Sequence, residues 1–455
     1  MDPSSTVTNS PLLALFAFLG VIVLLLFLIA KWRWHVFLAL LVPLLLFGLI
    51  PGVQTNNFIA AFETGFGKTL GSIGVVIVLG SIIAEGLRHT GAIQTITRTM
   101  VQVVGAGRMP LALTLTGFVL GIAIFSDVAY VILNPLVHSA AKVMNVTIST
   151  MSVGLVGGLQ LTHAIVPPTP GPLAAAALVG ADIGATIIFG SIACLAGSCA
   201  CWLWGQFVAG PRIPVMASDE FAGEDIFASN DEKPLPGPWS AYAPILVPIL
   251  LISAQSVSRL VFDEGYWLRN ALAYIGWPVA ALSVGVWLSY RNIRTEEQRK
   301  ASRSAWIEEA LRISAMILVV TGLGGSLSEI LKGTPAVAAI SGFFAAYALP
   351  AILLPFVIGI IGNMITGSTT VGVITAASLV APMLQDLDLS PEAAMLAGAC
   401  GSVIIKYVNS SYFWVCTSLS KLNASDAIFA YGGATLVGGI VSFASVCVMW
   451  AIGVI

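Results

Sequence analysis

The sequence predicts an all-α polytopic membrane protein with about twelve transmembrane helices and two re-entrant hairpins, arranged as two inverted repeats. Three observations predict this fold. Hydrophobic residues make up 57% of the 455 residues and charged residues only 9%, whereas a soluble domain carries about 25% charged residues. Apolar blocks of membrane-spanning length follow one another along the chain, and two are interrupted by polar or proline-rich segments. Finally, the scarce charged residues recur at a constant offset.

Each apolar block is interpreted as a candidate helix. The mean hydropathy is +0.95, and a span needs roughly 20 apolar residues. The blocks are 12–30, 35–51, 70–87, 109–125, 151–166, 183–209, 241–260, 270–289, 310–331, 336–361, 394–408 and 428–455. The first lacks a basic leader and a small-residue cleavage site, so we expect it to remain as a helix. Two shorter stretches containing Ser, Thr, Asn and Asp, 125–150 and 362–385, are typical of re-entrant hairpins.

One segment inside the apolar sequence cannot continue a helix. Residues 162–172 read Thr-His-Ala-Ile-Val-Pro-Pro-Thr-Pro-Gly-Pro, and proline lacks the backbone N–H and clashes with the preceding turn. Irregular backbone at membrane depth is tolerated only where protein buries it or where it lines a cavity. The segment therefore predicts a broken helix at a substrate site.

An internal repeat is visible when the chain is shifted by 244 residues. Glu85 then falls on Glu329, and Asp182 falls on Asp426. Arg88 falls on Lys332, and the proline-rich break falls on the polar segment 407–414. Each Asp precedes an apolar run, which predicts a pair of helix caps. The spacing of Glu85 and Arg88 predicts an ion pair on one helix face.

The repeat also defines the domain organisation. The N-terminal half is 1–209, with the first repeat at about 52–209, and the C-terminal half is 241–455, with the second repeat at about 306–455. The polar segment 210–240 links the two halves. Basic residues after the first and third blocks and at 291–303 place those loops and the linker in the cytoplasm. Both termini are then predicted to lie outside.

Three motifs give the chain a resemblance to a known family. They are His163-x-x-x-Pro167-Pro-x-Pro-Gly-Pro172, Gly367-Ser-x-Thr370-Val and Val408-Asn409-x-x-x-Phe413-Trp414. They resemble the gluconate:H+ symporter (GntP-type permease) family of the ion transporter superfamily, over nearly the whole chain from about residue 10. The resemblance implies proton-coupled uptake of gluconate, related sugar acids or small hydroxy acids, and some relatives carry D-serine. It also implies a scaffold that forms a homodimer and a transport domain that moves as an elevator.

Several positions depart from the pattern of that family. The family often has Glu at position 127, His at 169, Arg at 363, Gln at 366 and Asp at 410, where this chain has Asp127, Thr169, Asn363, Thr366 and Ser410. An Arg at position 363 would bind a substrate carboxylate. Lys406, where the family usually has a small polar residue, is the candidate replacement for that cation. These departures leave the substrate open.

The predicted substrate site combines the two hairpin tips with the two broken helices. Its candidate residues are Ser126, Asp127, His163, Thr169, Asn363, Gly367, Ser368, Thr369, Thr370, Lys406, Asn409, Ser410 and Ser411. Asp127 and His163 are the candidates for proton coupling, because ionisable groups at membrane depth are costly and usually functional. The alternatives are structural: Asp127 as a helix cap, Lys406 reaching the membrane surface, and the hydroxyls as ordinary caps.

The function that follows is secondary active import of a small organic anion with protons across the bacterial inner membrane. Sodium coupling, a D-amino-acid or hydroxy-acid substrate, and a passive channel remain alternatives. The sequence has no Walker motif and no His-Glu-x-x-His motif, and it suggests no enzyme, cofactor or metal site. The six cysteines lie in apolar runs and are interpreted as core residues. No basic patch indicates a nucleic-acid partner.

Overall fold

The computed structural model describes residues 20–21, 23–24, 27–28, 31–32, 34–50, 53–217, 235–263, 266–331, 349–407 and 410–455. In these ranges the regular structure is helical, without a strand. Most of the predicted first transmembrane helix and of the central linker lies outside the described residues, as do Lys332 and Asn409.

Helices account for most of the described chain on both sides of the linker. Before the linker the main helices are α1 Val36–Phe47, α2 Thr55–Thr90, α3 Ala92–Val104, α4 Met109–Gly121, α5 Ser126–Met144, α6 Ile148–Ile165, α7 Pro170–Val179 and α8 Ile183–Trp204. After it they are α9 Pro238–Val261, α10 Trp267–Ile275, α11 Pro278–Tyr290, α12 Glu296–Arg303, α13 Ala305–Leu331, α14 Leu353–Thr366, α15 Thr369–Val380, α16 Pro391–Ser402, α17 Ser411–Leu419 and α18 Ala424–Ala451.

Several of these helices have the length and composition of membrane spans. Within the described ranges five qualify, and two bent pairs raise the number to seven. The broken segment Ile148–Val179 is 94% buried inside the protein, whereas the other four are buried to between 33% and 61%. The broken helix therefore lies at the centre of the bundle. The total of about twelve spans stays a prediction.

Two pairs of consecutive helices form hairpins. α4 joins α5 through residues 122–125, and α14 joins α15 through Gly367 and Ser368. Gly367 has a φ of 71°, which glycine adopts without strain, and Ser368 begins α15 by accepting the N–H of Val371. α4 has 13 residues and α14 has 14, so each is about 20 Å long and too short to cross a bilayer alone.

The hairpins begin earlier than the sequence predicts. The stretches 125–150 and 362–385 contain the second arms, but the first arms begin in the blocks 109–125 and 336–361, which the sequence assigns to spans. The difference arises because apolar composition does not reveal where a helix ends.

The predicted break at 162–172 is confirmed. α6 ends at Ile165, residues 166–169 are not helical, and α7 begins at Pro170. The hydroxyl of Thr169 donates to the carbonyl of Val166 at 2.7 Å, so the freed backbone oxygen is satisfied inside the protein. A second break separates α16, which ends at Ser402, from α17, which begins at Ser411, and Ile405 between them adopts a positive φ of 53°.

The order of helices in the first half recurs in the second. Helices that begin at Leu353, Thr369, Pro391, Ser411 and Ala424 follow those that begin at Met109, Ser126, Ile148, Pro170 and Ile183 by 241 to 244 positions. The halves also pack crosswise, because α15 lies against α7 and α5 lies against α17. Each hairpin therefore contacts the broken helix of the other half.

The predicted helix caps and ion pair have mixed outcomes. Asp182 caps α8, since its carboxylate accepts the N–H of Ala185 at 2.8 Å. The matching prediction for Asp426 is wrong, because Asn423 begins that helix and accepts the N–H of Asp426. The ion pair between Arg88 and Glu85 is confirmed at 2.5 Å.

Candidate functional site

The tip of the first hairpin places an acid beside the first broken helix. Phe125 occupies the N-cap position of α5, and its ring centroid lies 5.3 Å from that of His163. Ser126 and Asp127 follow in the first turn; Ser126 is buried and Asp127 half-buried. The alternative of Asp127 as the N-cap is therefore wrong, although a carboxylate in the first turn still interacts favourably with the helix dipole.

His163 lies near the end of α6, just before the break. It is 8% exposed, and its Nδ1 atom is buried without a hydrogen-bond partner in the described part of the chain. It lies within electrostatic range of both Asp127 and Lys406. Because buried polar atoms normally have partners, the imidazole has hydrogen-bonding capacity available for a ligand or a water.

Lys406 is a buried cation in the second break. It is 3% exposed, so its side chain does not reach the membrane surface. Its Nζ atom donates to Oδ1 of Asn363 at 3.1 Å and to the carbonyl of Gly367 at 3.0 Å. Both partners are neutral, and no carboxylate pairs with Lys406 among the described residues. An ammonium has three donors, so one remains for a ligand.

The tip of the second hairpin contacts the first broken helix. The hydroxyl of Thr369 accepts a hydrogen bond from the buried Gln160 amide on α6 at 3.3 Å. Thr370 packs against Gly171, where an added Cβ atom would lie 3.2 Å from the Cα of Thr370. The hydroxyl of Ser368 is used as the helix cap. The tip is thus fixed to α6 and α7 by one hydrogen bond and one close backbone approach.

The remaining predicted residues are placed less centrally. Ser410 is buried at the start of α17 and makes no side-chain cap bond. Ser411 is exposed. The Thr169 hydroxyl is occupied inside the first break. Asn409 lies outside the described residues.

The structure adds residues that the sequence interpretation missed. Gln160 and Phe125 contact predicted residues directly; an amide within the apolar and small residues of α6 was a usable signal for the first. A buried hydroxyl network also lies behind the first hairpin. It consists of Tyr130, Ser420, Tyr431 and Ser152, linked by contacts of 2.5, 2.6 and 3.1 Å. Tyr130 lies on α5, Ser152 on α6, Ser420 directly after α17 and Tyr431 on α18. No local sequence pattern connects these elements.

A narrow cleft adjoins the first break. Residues from the first hairpin tip, the break, α2, α9 and α11 line it, among them Ser81, Phe125, His163, Thr169, Pro244 and Leu282. Its cavity volume is about 20 Å³, which holds about one water molecule. The cleft on this side of the site is therefore too small for a sugar-sized molecule.

Comparison with known proteins decides the family. The model of the family described as "GntP family permease" matches residues 12–453. The chain belongs to the GntP permease family. This permease is 30% identical to a gluconate permease of Pseudomonas aeruginosa over 422 residues, which covers 91% of each chain. It is 29% identical to a D-serine transporter of Escherichia coli, covering 93% of the permease and 95% of the relative.

A solved structure supports the fold independently. The permease matches the YdaH transporter of Alcanivorax borkumensis with a TM-score of 0.65 at 14% identity, covering 96% of the permease and 98% of that chain. At this identity the likeness concerns the fold alone. Together with the apolar helices, the family identifies a multi-pass inner-membrane permease rather than an enzyme.

Proposed function

We propose that this permease is a secondary active transporter that imports a small hydroxylated carboxylate, gluconate or a related sugar acid, together with protons. The observation that carries the proposal is the buried ammonium of Lys406, which donates to two neutral oxygens and has a third donor that no described residue accepts. A buried cation without an anionic partner is costly. A substrate carboxylate supplies that partner.

The relatives suggest which feature of the substrate Lys406 recognises. One is named for gluconate and the other for D-serine, and both molecules carry a carboxylate and a hydroxyl group. A charge-assisted hydrogen bond to the carboxylate serves either compound. The free capacity of His163 Nδ1 then suits a hydroxyl group of the substrate. A D-amino acid is the second candidate substrate, because its carboxylate would use the same contact.

Proton coupling is assigned to Asp127 with His163 as its partner. The two residues belong to different elements and are within electrostatic range of one another. Asp127 is half-buried in the first turn of α5, where a proton can enter and leave. One proton carried with a monoanion makes the transported pair electrically neutral. The about 2.3 kcal/mol per 100 mV that the proton gains from the membrane potential offsets the same cost for the anion, so the pH gradient drives the accumulation.

The recurring helix order and the crosswise packing support two inverted repeats. We assign them to about 52–209 and 306–455, with the linker 210–240 in the cytoplasm and both termini outside. The hairpins and broken helices form the moving part of an elevator, and a scaffold forms the homodimer. A passive channel fits less well, because the cleft at the first break is narrow and mostly apolar.

Uptake by purified permease in proteoliposomes tests the proposal. A panel of gluconate, other sugar acids, D-serine and neutral sugar alcohols would be offered under an imposed pH gradient, an imposed sodium gradient, or neither. We expect accumulation of at least one hydroxylated acid driven by the pH gradient alone. Accumulation that follows only the sodium gradient would contradict proton coupling, and transport confined to neutral compounds would contradict the substrate class.

A further inference from the structure

The oxygens that hold Lys406 lie at the end of a helix. Gly367 follows the last residue of α14 and has a left-handed backbone, and Asn363 lies one turn earlier. The last carbonyl groups of a helix have no N–H partner within it and carry the negative end of the helix dipole. The Gly367 carbonyl and the Asn363 side-chain oxygen thus form a neutral oxygen pair that attracts a cation.

This donor set is chemically the kind that binds a monovalent metal ion. Unwound backbone carbonyls and helix C-terminal ends coordinate Na+ in transporters with discontinuous helices. The Nζ atom of Lys406 lies 3.0 Å and 3.1 Å from these two oxygens. An ammonium carries the same charge as Na+ and bonds to the same kind of oxygen. The Lys406 side chain extends from the second break to these oxygens, so it connects that break to the tip of the second hairpin.

The backbone around Lys406 is built to hold this position. The N–H of Lys406 donates to the Thr435 hydroxyl at 2.9 Å. An added Cβ atom at Gly432 would lie 2.9 Å from the carbonyl of Lys406, so α18 approaches closely there. The amide of Asn363 donates to the carbonyl of Ile404 at 3.1 Å, which turns its oxygen toward Nζ. These contacts fix both the cation and one of its acceptors.

We infer that the ammonium of Lys406 is a resident cation that occupies the position of a coupling metal ion at the tip of the second hairpin. A tethered cation competes with dissolved ions at high effective concentration. The permease therefore binds no Na+ at this tip and needs none. The inference rests on the proposed function in that it assigns the ion use of the same site, but its test measures cation binding without any substrate.

The test compares variants of the full-length permease in detergent. Lys406→Ala removes the ammonium and leaves its oxygens unsatisfied, whereas Lys406→Met removes the charge but fills much of the space. Lys300→Ala removes an exposed lysine on α12 and is the matched control. Thermal unfolding would be followed as NaCl or methylammonium chloride replaces choline chloride at constant ionic strength. Choline is too large to enter.

We expect the Tm of Lys406→Ala to rise by about 3 °C between zero and saturating Na+ or methylammonium. The wild type, Lys406→Met and Lys300→Ala should show no such saturable rise. A folded Lys406→Ala variant that responds to neither cation would overturn the inference. If that variant does not fold, the wild type still decides: a saturable rise with Na+ contradicts a filled site, and indifference to Na+, Li+ and K+ supports it. Failure to find a transported acid would leave these readings unchanged.

Discussion

Replacing Lys406 by Met is the most direct test of how the permease recognises its substrate. The Nζ atom uses two donors on Asn363 and Gly367, so a bound carboxylate accepts the third. A hydrogen bond to a charged group contributes about 1.5–3 kcal/mol, which corresponds to a loss of about 10- to 150-fold in affinity for the acid. A neutral analogue of the same size, such as the corresponding sugar alcohol, offers that donor only an uncharged hydroxyl and should lose clearly less affinity than the acid.

Equilibrium binding of the acid and the neutral analogue to purified protein measures these losses, for example by calorimetry or by displacement of a labelled substrate. The wild type and Lys300→Ala are measured in parallel, because the latter removes an exposed lysine outside the site. Methionine keeps most of the volume of the lysine stem, so the change is mainly one of charge. Equal losses for both compounds would refute the reasoning, since they would mean that Lys406 acts only by holding the hairpin in place.

The remaining predictions concern coupling and packing. Asp127→Asn should abolish concentrative uptake in proteoliposomes but leave substrate exchange; unchanged accumulation would remove Asp127 from the mechanism. Gln160→Ala and Thr369→Val should each lower stability by about 1 kcal/mol, and a double-mutant cycle by thermal unfolding should give less than additive losses; full additivity would disprove their hydrogen bond. Gly171→Val should lower the unfolding temperature through about 1–3 kcal/mol of overpacking. Gly67→Val is the control, because an added Cβ atom there would meet no described neighbour within 4 Å; equal losses of stability would show that Gly171 makes no tight contact with Thr370.

Local sequence accounts for the interruptions in the fold. The prolines of 162–172 remove backbone donors and clash with the preceding turn wherever they occur, so the break between α6 and α7 follows from the sequence. The hairpin tips were likewise visible, because Gly367 and Ser368 are typical of a helix end and a helix start. The first arms α4 and α14 were not, since nothing in an apolar run marks its depth in the bilayer.

The caps illustrate the limit of a repeat-based argument. Asp182 and Asp426 occupy matching positions, but only Asp182 begins a helix. In the second half Asn423, three residues earlier, takes the capping role. A repeat therefore predicts that two elements correspond, and it leaves the exact start of each helix to local competition between capping side chains.

The sequence by itself determined the membrane class, the first break and the short list of polar residues within the apolar helices. It did so because proline and glycine act through local backbone geometry. Charged and polar residues are costly to remove from water, so the few within apolar helices stand out in the sequence. Only the tertiary structure decided which of those residues meet. Lys406 joins Asn363 and Gly367 across about 40 positions, and Gln160 joins Thr369 across 209. Such contacts depend on how helices pack against one another, and no pattern along the chain predicts which distant positions will meet.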